Sequence, residues 1–595
     1  MIMNTQEKLE ALRAEMKKRN IEAYVIPTDD FHGSEYVGDY FKCREYMSGF
    51  TGSAGTLVVT ENEAALWTDG RYFIQAAAQL EGSTIELMKI GEKDVPGIPE
   101  YIVEKIAGTV GFDGRVVRES FAESLIKAFE QHPALKDNED LVDLIWQDRP
   151  ALSKEPVWEV VEEICGKSRR KKIEEVRAEM HKKGADFMVI AALDEIAWLL
   201  NLRGGDVEST PVFLAYLVIE EEGAALFADK DIFSAKIKRE LKKDGIRILS
   251  YSGIERYIKK APEGSTIWAD PDTVNYRLMN CMKDATVIKE PNPIILMKAI
   301  KNEAERAGMI DAHIRDGLAM TRFLCWFKHN VGRERMTELS VTEKLHEFRA
   351  SQEGFLDESF STIMGYGEHG AIVHYSATEE TDAEIFARGL LLIDSGGHFT
   401  NGTTDITRTV VCGELTEEEK KAFTLVLKGH LSLQSAHFRY GCGGEALDIL
   451  ARQPLWDEGL DYNHGTGHGV GFILSVHEGP QRIHWKAGDN GRTPLEDGMV
   501  ISDEPGVYFE GKFGVRHENL VLCETAEENE HGHFMHFRPL TMVPIDKEGI
   551  YLPYMDAADI ERLNDYHRQV REALSPYLED AEKEWLMEAT SPLNS

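Results

Sequence analysis

The chain has 595 residues, 42% of them hydrophobic, with 103 acidic against 67 basic side chains and a formal charge of −36 at pH 7. A single core rarely grows past about 250 to 300 residues, so several domains are expected. The acidity excludes nucleic acid and anionic membrane surfaces as partners, because both demand basic patches.

Seven cysteines, Cys43, Cys165, Cys281, Cys325, Cys412, Cys442 and Cys523, are scattered, odd in number and without Cys-x-x-Cys spacing. That usage fits a reducing cytoplasm better than secretion. The first residues show no basic start followed by an apolar stretch, and no run approaches the roughly 18 apolar residues of a membrane span. A soluble, cytoplasmic protein is the expectation.

The first half contains a repeat. Arg13-Ala-Glu-Met16 recurs as Arg177-Ala-Glu-Met180, an offset of 164 (177 − 13). Each copy ends an amphipathic helix that leads into an apolar strand, Ala23-Tyr-Val-Ile26 or Phe187-Met-Val-Ile190. Ala64-Ala-Leu-Trp-Thr-Asp69 is echoed by Ala224-Ala-Leu-Phe-Ala-Asp229, an offset of 160 (224 − 64). Two related α/β domains explain both echoes. Prolines and polar residues in Gln147–Pro156 suggest one boundary, and Glu290-Pro-Asn-Pro293 a second, just before a helix opening over Met297–Arg306. The expected division is therefore 1–150, 151–296 and 297–595. Neither repeat carries a ligand cluster of its own, and the close group Asp29, Asp30 and His32 reads as a turn.

The last third holds five potential metal ligands. Gly389-Leu-Leu-Leu-Ile-Asp394 is an apolar run ending in an acid, and Asp405-Ile-Thr-Arg-Thr-Val-Val411 a β-branched run beginning with one. As neighbouring strands joined by the turn-rich stretch Ser395–Thr404, they would bring the two carboxylates together; each acid could equally cap a turn. In His464-Gly-Thr-Gly-His468-Gly-Val-Gly471 four glycines in eight residues exclude a zincin-type helix and leave an irregular stretch carrying imidazoles, with His477-Glu-Gly-Pro480 close by. Glu504 lies in Asp503-Glu-Pro-Gly-Val-Tyr508, and Glu518 in Gly514-Val-Arg-His-Glu-Asn-Leu-Val521. Strand alternation in this last segment puts Arg516 on the face of Glu518 and His517 on the other, so Arg516 could orient carboxylates or make an ordinary surface ion pair. Asp394, Asp405, His468, Glu504 and Glu518 together offer four carboxylates and one imidazole, the ligand set of a two-metal hydrolytic site. The closing helix, with Ile560, Leu563, Val570 and Leu574 on one stripe, is expected to pack.

These segments resemble the catalytic domain of the pita-bread metallopeptidases, which include methionine aminopeptidase, prolidase and Xaa-Pro aminopeptidase. The surrounding segments Ser359–Ile363, Gly370–Tyr375, Val476–Pro480 and Glu504–Tyr508 are similar to those of aminopeptidase P, in its long three-domain cytosolic form. Gly49–Gly55, Leu66–Phe73 and Phe537–Pro544 extend the likeness over nearly the whole chain. The resemblance implies two creatinase N-terminal-like α/β domains followed by a pita-bread catalytic domain. It implies that Asp394 chelates one ion, that Asp405 and Glu518 bridge two, and that His468 and Glu504 complete the second position. It further implies Glu504 as the proton relay, His374 and His477 as hydrogen-bonding groups for the tetrahedral intermediate or the proline carbonyl, and His464 on the substrate side. Two divalent ions are expected, Mn²⁺ before Co²⁺, Fe²⁺ or Zn²⁺, together with a homodimer and peptides carrying proline in second position. Trp67 and Arg71 belong either to a strand-turn device or to a surface limiting which peptides reach the site.

The alternatives are a prolidase, which shares the ligand set and cleaves only dipeptides, and a non-catalytic pita-bread scaffold. Such a scaffold has no reason to keep all five ligands, and a metal-free creatinase-like hydrolase is disfavoured on the same ground.

Overall fold

The computed structural model describes residues 3–486 and 488–594. The chain folds as two compact units, Met1–Glu162 with Lys167–Ile295 in one and Glu163–Gly166 with Leu296–Ser595 in the other.

The first unit is the duplication read from the sequence. Helix α1 (Thr5–Arg19) starts at Asn4 with a capping box to Glu7 and stops where Asn20 turns left-handed. It buries Leu9, Leu12 and Met16 against the sheet formed by β1 (Ala23–Pro27), β2 (Thr56–Thr60), β3 (Ala64–Thr68), β4 (Glu86–Lys89), β5 (Thr109–Phe112) and β6 (Ala134–Lys136). The strand order is β4-β3-β2-β1-β5-β6. Helix α2 (Arg169–Lys183) buries Ile173, Val176 and Met180, each 164 residues after its counterpart in α1. Its sheet, β7 (Phe187–Ile190), β8 (Tyr216–Glu220), β9 (Ala224–Phe227), β10 (Ile246–Leu249), β11 (Thr266–Ala269) and β12 (Thr286–Lys289), repeats the order as β10-β9-β8-β7-β11-β12.

The shared arginine explains why Arg-Ala-Glu-Met survives in both copies. Arg13 donates to the Thr60 and Glu63 carbonyls of the β2-β3 hairpin, and Arg177 to the Glu220 and Gly223 carbonyls of the β8-β9 hairpin. The guanidinium thus saturates the one end of each hairpin where strand pairing stops. Asp30 accepts from the His32 and Ser34 amides as an Asx turn, while Asp29 pairs with Arg118 and the His32 ring reaches the Ala191 carbonyl and the Tyr251 hydroxyl. Arg71 is bound by Asp69 within its own turn and by Glu35, and the Trp67 indole donates to the Pro96 carbonyl.

In the second unit the helix expected over Met297–Arg306 is two. Ile294–Ala299 ends, and α3 (Glu303–Asn330) begins at Asn302, whose side chain caps it in a box with Glu305. A strong cap overrides continuous helical periodicity. Helix α4 (Glu338–Ala350) follows, then the antiparallel sheet of β13 (Ile363–Tyr366), β14 (Leu390–Ser395) and β15 (Ile406–Val411). The turn expected at Ser395–Thr404 contains two short strands, Gly397–Phe399 and Gly402–Thr403, paired with each other, the first of them also with Phe355–Glu358. Helix α5 (Glu417–Gln434), β16 (His437–Arg439), α6 (Gly444–Trp456), β17 (Gly467–Gly469), β18 (Glu478–Ile483), β19 (Val500–Asp503), β20 (Gly506–Phe509), β21 (Phe513–Arg516), β22 (Asn519–Asn529) and β23 (Gly532–Pro539) complete the sheets. The larger one runs β16-β23-β22-β19-β17-β18. Ile560, Leu563, Val570 and Leu574 on α7 (Ala557–Leu574) are buried, and a further helix, α8 (Asp580–Ala589), comes after the one read as final.

Arg349 ties this frame to the strand ends. Fully buried, it binds Asp316 and Glu358 at 2.7 and 2.6 Å and donates to the Ser395 hydroxyl beside Asp394. Asp316 in turn accepts from the Thr404 hydroxyl beside Asp405. Arg349→Leu leaves two carboxylates without their cation and is expected to destabilise the protein by about 3 to 5 kcal/mol, read as a lowered midpoint in urea.

Candidate metal centre

Each of the five candidate ligands sits where a strand stops or where strands come unusually close. Asp394 is in β14, opposite Ile363 on one side and Thr407 on the other. Asp405 immediately precedes β15, and Glu504 immediately follows β19, its amide donating to the Thr466 carbonyl. His468 is the middle residue of β17. The glycines around it are needed for close approach: a Cβ on Gly467 would meet the Ser502 carbonyl at 2.1 Å, and one on Gly469 the Glu478 carbonyl at 2.3 Å. The stretch read as irregular is thus a minimal strand squeezed between β18 and β19.

Glu518 was expected within a continuous strand, but β21 ends at Arg516 and β22 begins at Asn519. The facing relationship still holds. Arg516 points to Asp394, Glu518 to Thr407, and His517 away, edge-on to Phe423. The break lets Glu518 bond back to β15, its amide to the Thr407 carbonyl and its carboxylate to the Thr407 hydroxyl at 2.8 Å.

Ligand atoms of Asp405, His468 and Glu518 all lie within 4.8 Å of one another. His468 Nε2 is 3.5 Å from Asp405 Oδ2 and 3.4 Å from Glu504 Oε1. The His468 Nδ1 donates to the Gly469 carbonyl at 3.0 Å, which puts the lone pair on Nε2, toward the carboxylates. Asp394 Oδ1 and Glu518 Oε1 are buried with no hydrogen-bond partner among the described residues. Four carboxylates facing one imidazole and one guanidinium, with two orphaned oxygens among them, fit divalent cations.

The electrostatics agree. Burial, then the negative charges of Asp394 and Glu504, hold the Asp405 carboxyl well above the usual range. Burial, then Asp405 and Glu504, do the same to Glu518. Glu504 is pushed up to about 7, by burial and by Asp394. Burial and mutual repulsion favour the protonated forms of these groups, and a cation binding there competes with the protons.

Arg516 connects the remaining candidates. Its guanidinium binds Asp394 Oδ2 at 2.5 Å, the Tyr508 hydroxyl at 2.7 Å and the Val373 carbonyl, next to His374, at 3.3 Å. Burial alone would lower its pKa, yet Tyr508, Asp394 and Glu504 raise it well above the ordinary value. Tyr508 passes the connection to His464 Nε2 at 2.8 Å. Because His464 Nδ1 donates to the Gly465 carbonyl, Nε2 accepts from the phenol, and the phenol oxygen accepts from Arg516. His477 lies edge-on to the His468 ring, with centroids 4.3 Å apart, and the next residue, Glu478, is held by buried Lys298 at 3.0 Å. His374 stands on the half-buried loop after Gly367–Ala371. Tyr508 and Thr407 were missed as site residues. Both lie in segments singled out for their acids, but only the tertiary fold shows what their hydroxyls reach.

The chain is similar to known proteins over nearly its whole length. Residues 8–145 and 148–305 each match the creatinase/prolidase N-terminal domain, 307–525 the metallopeptidase family M24, and 533–593 the C-terminal region of that peptidase family. Xaa-Pro aminopeptidase 1 of Dictyostelium discoideum is 39% identical over 609 residues, covering 99% of this chain and 96% of that protein. Aminopeptidase P2 of Arabidopsis thaliana is 40% identical, covering 99% and 88%. The crystal structure of X-prolyl aminopeptidase from Caenorhabditis elegans, described as a cytosolic enzyme with a di-nuclear active site, superposes with a TM-score of 0.94 at 34% identity, covering 99% and 100%.

Proposed function

This chain belongs to the Xaa-Pro aminopeptidases of metallopeptidase family M24, and from that premise we propose how its residues release the N-terminal amino acid from peptides whose second residue is proline. The observation that carries the reading is the convergence of buried Asp405 and Glu518 on half-buried His468, with two orphaned carboxylate oxygens in the same site. Asp394, Asp405, His468, Glu504 and Glu518 would hold two divalent ions, which when bound lower the pKa of a shared water and polarise the scissile carbonyl. An oxygen-rich set with one imidazole suits Mn²⁺ first, and accepts Co²⁺, Fe²⁺ or Zn²⁺.

The chain's own groups do the rest. A bond to proline has a tertiary amide nitrogen, with no N–H for a site to recognise, and that nitrogen must still gain a proton to leave. Glu504 takes a proton from the attacking water and passes it to that nitrogen. His374 and His477 donate hydrogen bonds to the oxygen that develops on the scissile carbonyl or to the proline carbonyl. His464, oriented by Tyr508, lines the substrate side. Arg516 holds Asp394, Tyr508 and the peptide before His374 in register.

Seven free cysteines support a reducing, cytoplasmic setting. The exposed side chains of Ile449, Trp456 and Trp485 give a second copy an apolar surface to cover, which supports a homodimer.

The test is turnover of a peptide beginning Arg-Pro-Pro by metal-stripped protein, with and without added Mn²⁺, products identified by mass. Release of the N-terminal arginine alone, and only with metal, is expected. Cleavage of Xaa-Pro dipeptides with none of Xaa-Pro-Yaa would make the chain a prolidase, and an inability to bind ions would overturn the reading.

A further inference from the structure

The His374 loop is anchored by a carboxylate that lies outside the site. Glu338, the first residue of α4, is 0% exposed, and both of its oxygens are engaged by the loop. Oε1 accepts from the Tyr366 amide at 2.8 Å and from His369 Nδ1 at 2.9 Å. Oε2 accepts from the Tyr375 hydroxyl at 2.8 Å and from the Ala383 amide at 3.1 Å. The four donors come from both sides of His374, from 366 and 369 before it and from 375 and 383 after it. The His369 ring also stacks on Tyr375, with centroids 4.4 Å apart.

The two neighbours of His374 in sequence are therefore both fixed, and by different charges. The Val373 carbonyl is held by Arg516, which also binds Asp394, and the Tyr375 hydroxyl by Glu338. A buried anion at the first turn of a helix is favoured by the helix dipole, and the hydrogen bond to Glu338 raises the pKa of His369 in turn. Four convergent donors demand a carboxylate. A glutamine would turn an NH₂ group toward donors that need an acceptor.

We propose that Glu338 is a positioning residue for His374: by gathering Tyr366, His369, Tyr375 and Ala383 it sets the loop so that the His374 imidazole stands where the reacting carbonyl needs a donor. The proposal rests on the reading of His374 given above. It requires no contact between Glu338 and substrate or metal, so its signature is a loss of turnover that passes through His374 alone.

A double-mutant cycle on the metal-loaded full chain tests this, with ion content, kcat and KM for an Xaa-Pro-Yaa peptide measured on wild type, His374→Ala, Glu338→Gln and the double variant. Glu338→Gln is expected to retain its ions, to leave KM nearly unchanged and to lower kcat about tenfold. In the His374→Ala background the same change should lower kcat by less than about twofold, because its target is gone. Tyr375→Phe deletes one hydroxyl of the loop and should lower kcat in the same direction without unfolding, which keeps the test decisive if Glu338→Gln does not fold. Multiplicative losses in the double variant, loss of the ions, or wild-type turnover by both Glu338→Gln and Tyr375→Phe would overturn the proposal. A silent His374→Ala would sink the reading of His374 itself, a distinct result.

Discussion

Glu518→Ala should strip both ions from the protein and lower turnover by roughly a thousandfold or more, equivalent to about 4 kcal/mol of transition-state stabilisation. The expected size follows from where the carboxylate stands. It is buried, one oxygen takes the Thr407 hydroxyl, and the other has no partner among the described residues although it lies within the Asp405 and His468 cluster. A buried carboxylate oxygen in that condition calls for a proton or a cation. Truncation removes the carboxylate proposed to bridge both ions and leaves Asp405 and Glu504 facing each other without it. Glu518→Gln keeps the shape and the Thr407 hydrogen bond, so it separates charge from packing, and it too should lose metal. Ion content after dialysis, measured beside Xaa-Pro-Yaa turnover, decides the matter. Two ions and full activity in the alanine variant would take Glu518 out of the site.

The stability of metal-stripped protein should fall as pH rises, and the difference in Tm between loaded and stripped protein should widen between about pH 4.5 and about pH 7. Glu504 is pushed up to about 7 in the fold, and burial and the neighbouring carboxylates hold Asp405 and Glu518 well above the usual range, whereas in an unfolded chain all three lie near the ordinary carboxylate value of about 4. A group whose folded pKa is raised gives its full stabilisation below its unfolded pKa and loses it as pH climbs through the folded one. For Glu504 alone that loss is on the order of 3 kcal/mol. Bound cations replace the protons, so loaded protein escapes the loss. Thermal scans with and without chelator across that range provide the check. A gap that stayed flat or narrowed with pH would mean that the carboxylates are not crowded in the metal-free fold.

Much of this was legible because local chemistry and tertiary need coincide. Arg-Ala-Glu-Met marks both repeats since its arginine reaches the open end of a hairpin 47 residues on in one copy and 43 in the other. The apolar run to Asp394 and the β-branched run from Asp405 read as neighbouring strands because burial on both faces leaves no polar alternation to confuse them. What stayed hidden depends on contacts that no local pattern encodes. Tyr508 belongs to a quoted motif, yet its bond to His464 spans 44 residues. Glu338 is one acid in an ordinary capping segment, and only the return of the chain at Ala383 reveals its four donors. The interruption at His517 and Glu518 escapes alternation because a strand that leaves one sheet and enters another keeps its sequence period while its partners change.

The glycines beside His468 bear on how the protein is loaded. With Gly467 against one neighbouring carbonyl and Gly469 against another, the ribbon carrying the imidazole has backbone on both flanks and no side chain to repack. The spacing of His468 from Glu504 is then set by the thickness of the main chain, a dimension that barely responds to temperature or to substitutions in the surrounding core. Emptying and refilling the centre becomes a matter of side chains exchanging protons for ions on a fixed frame, so one preparation should pass through repeated cycles of chelation and reconstitution and allow different metals to be compared on the same molecules.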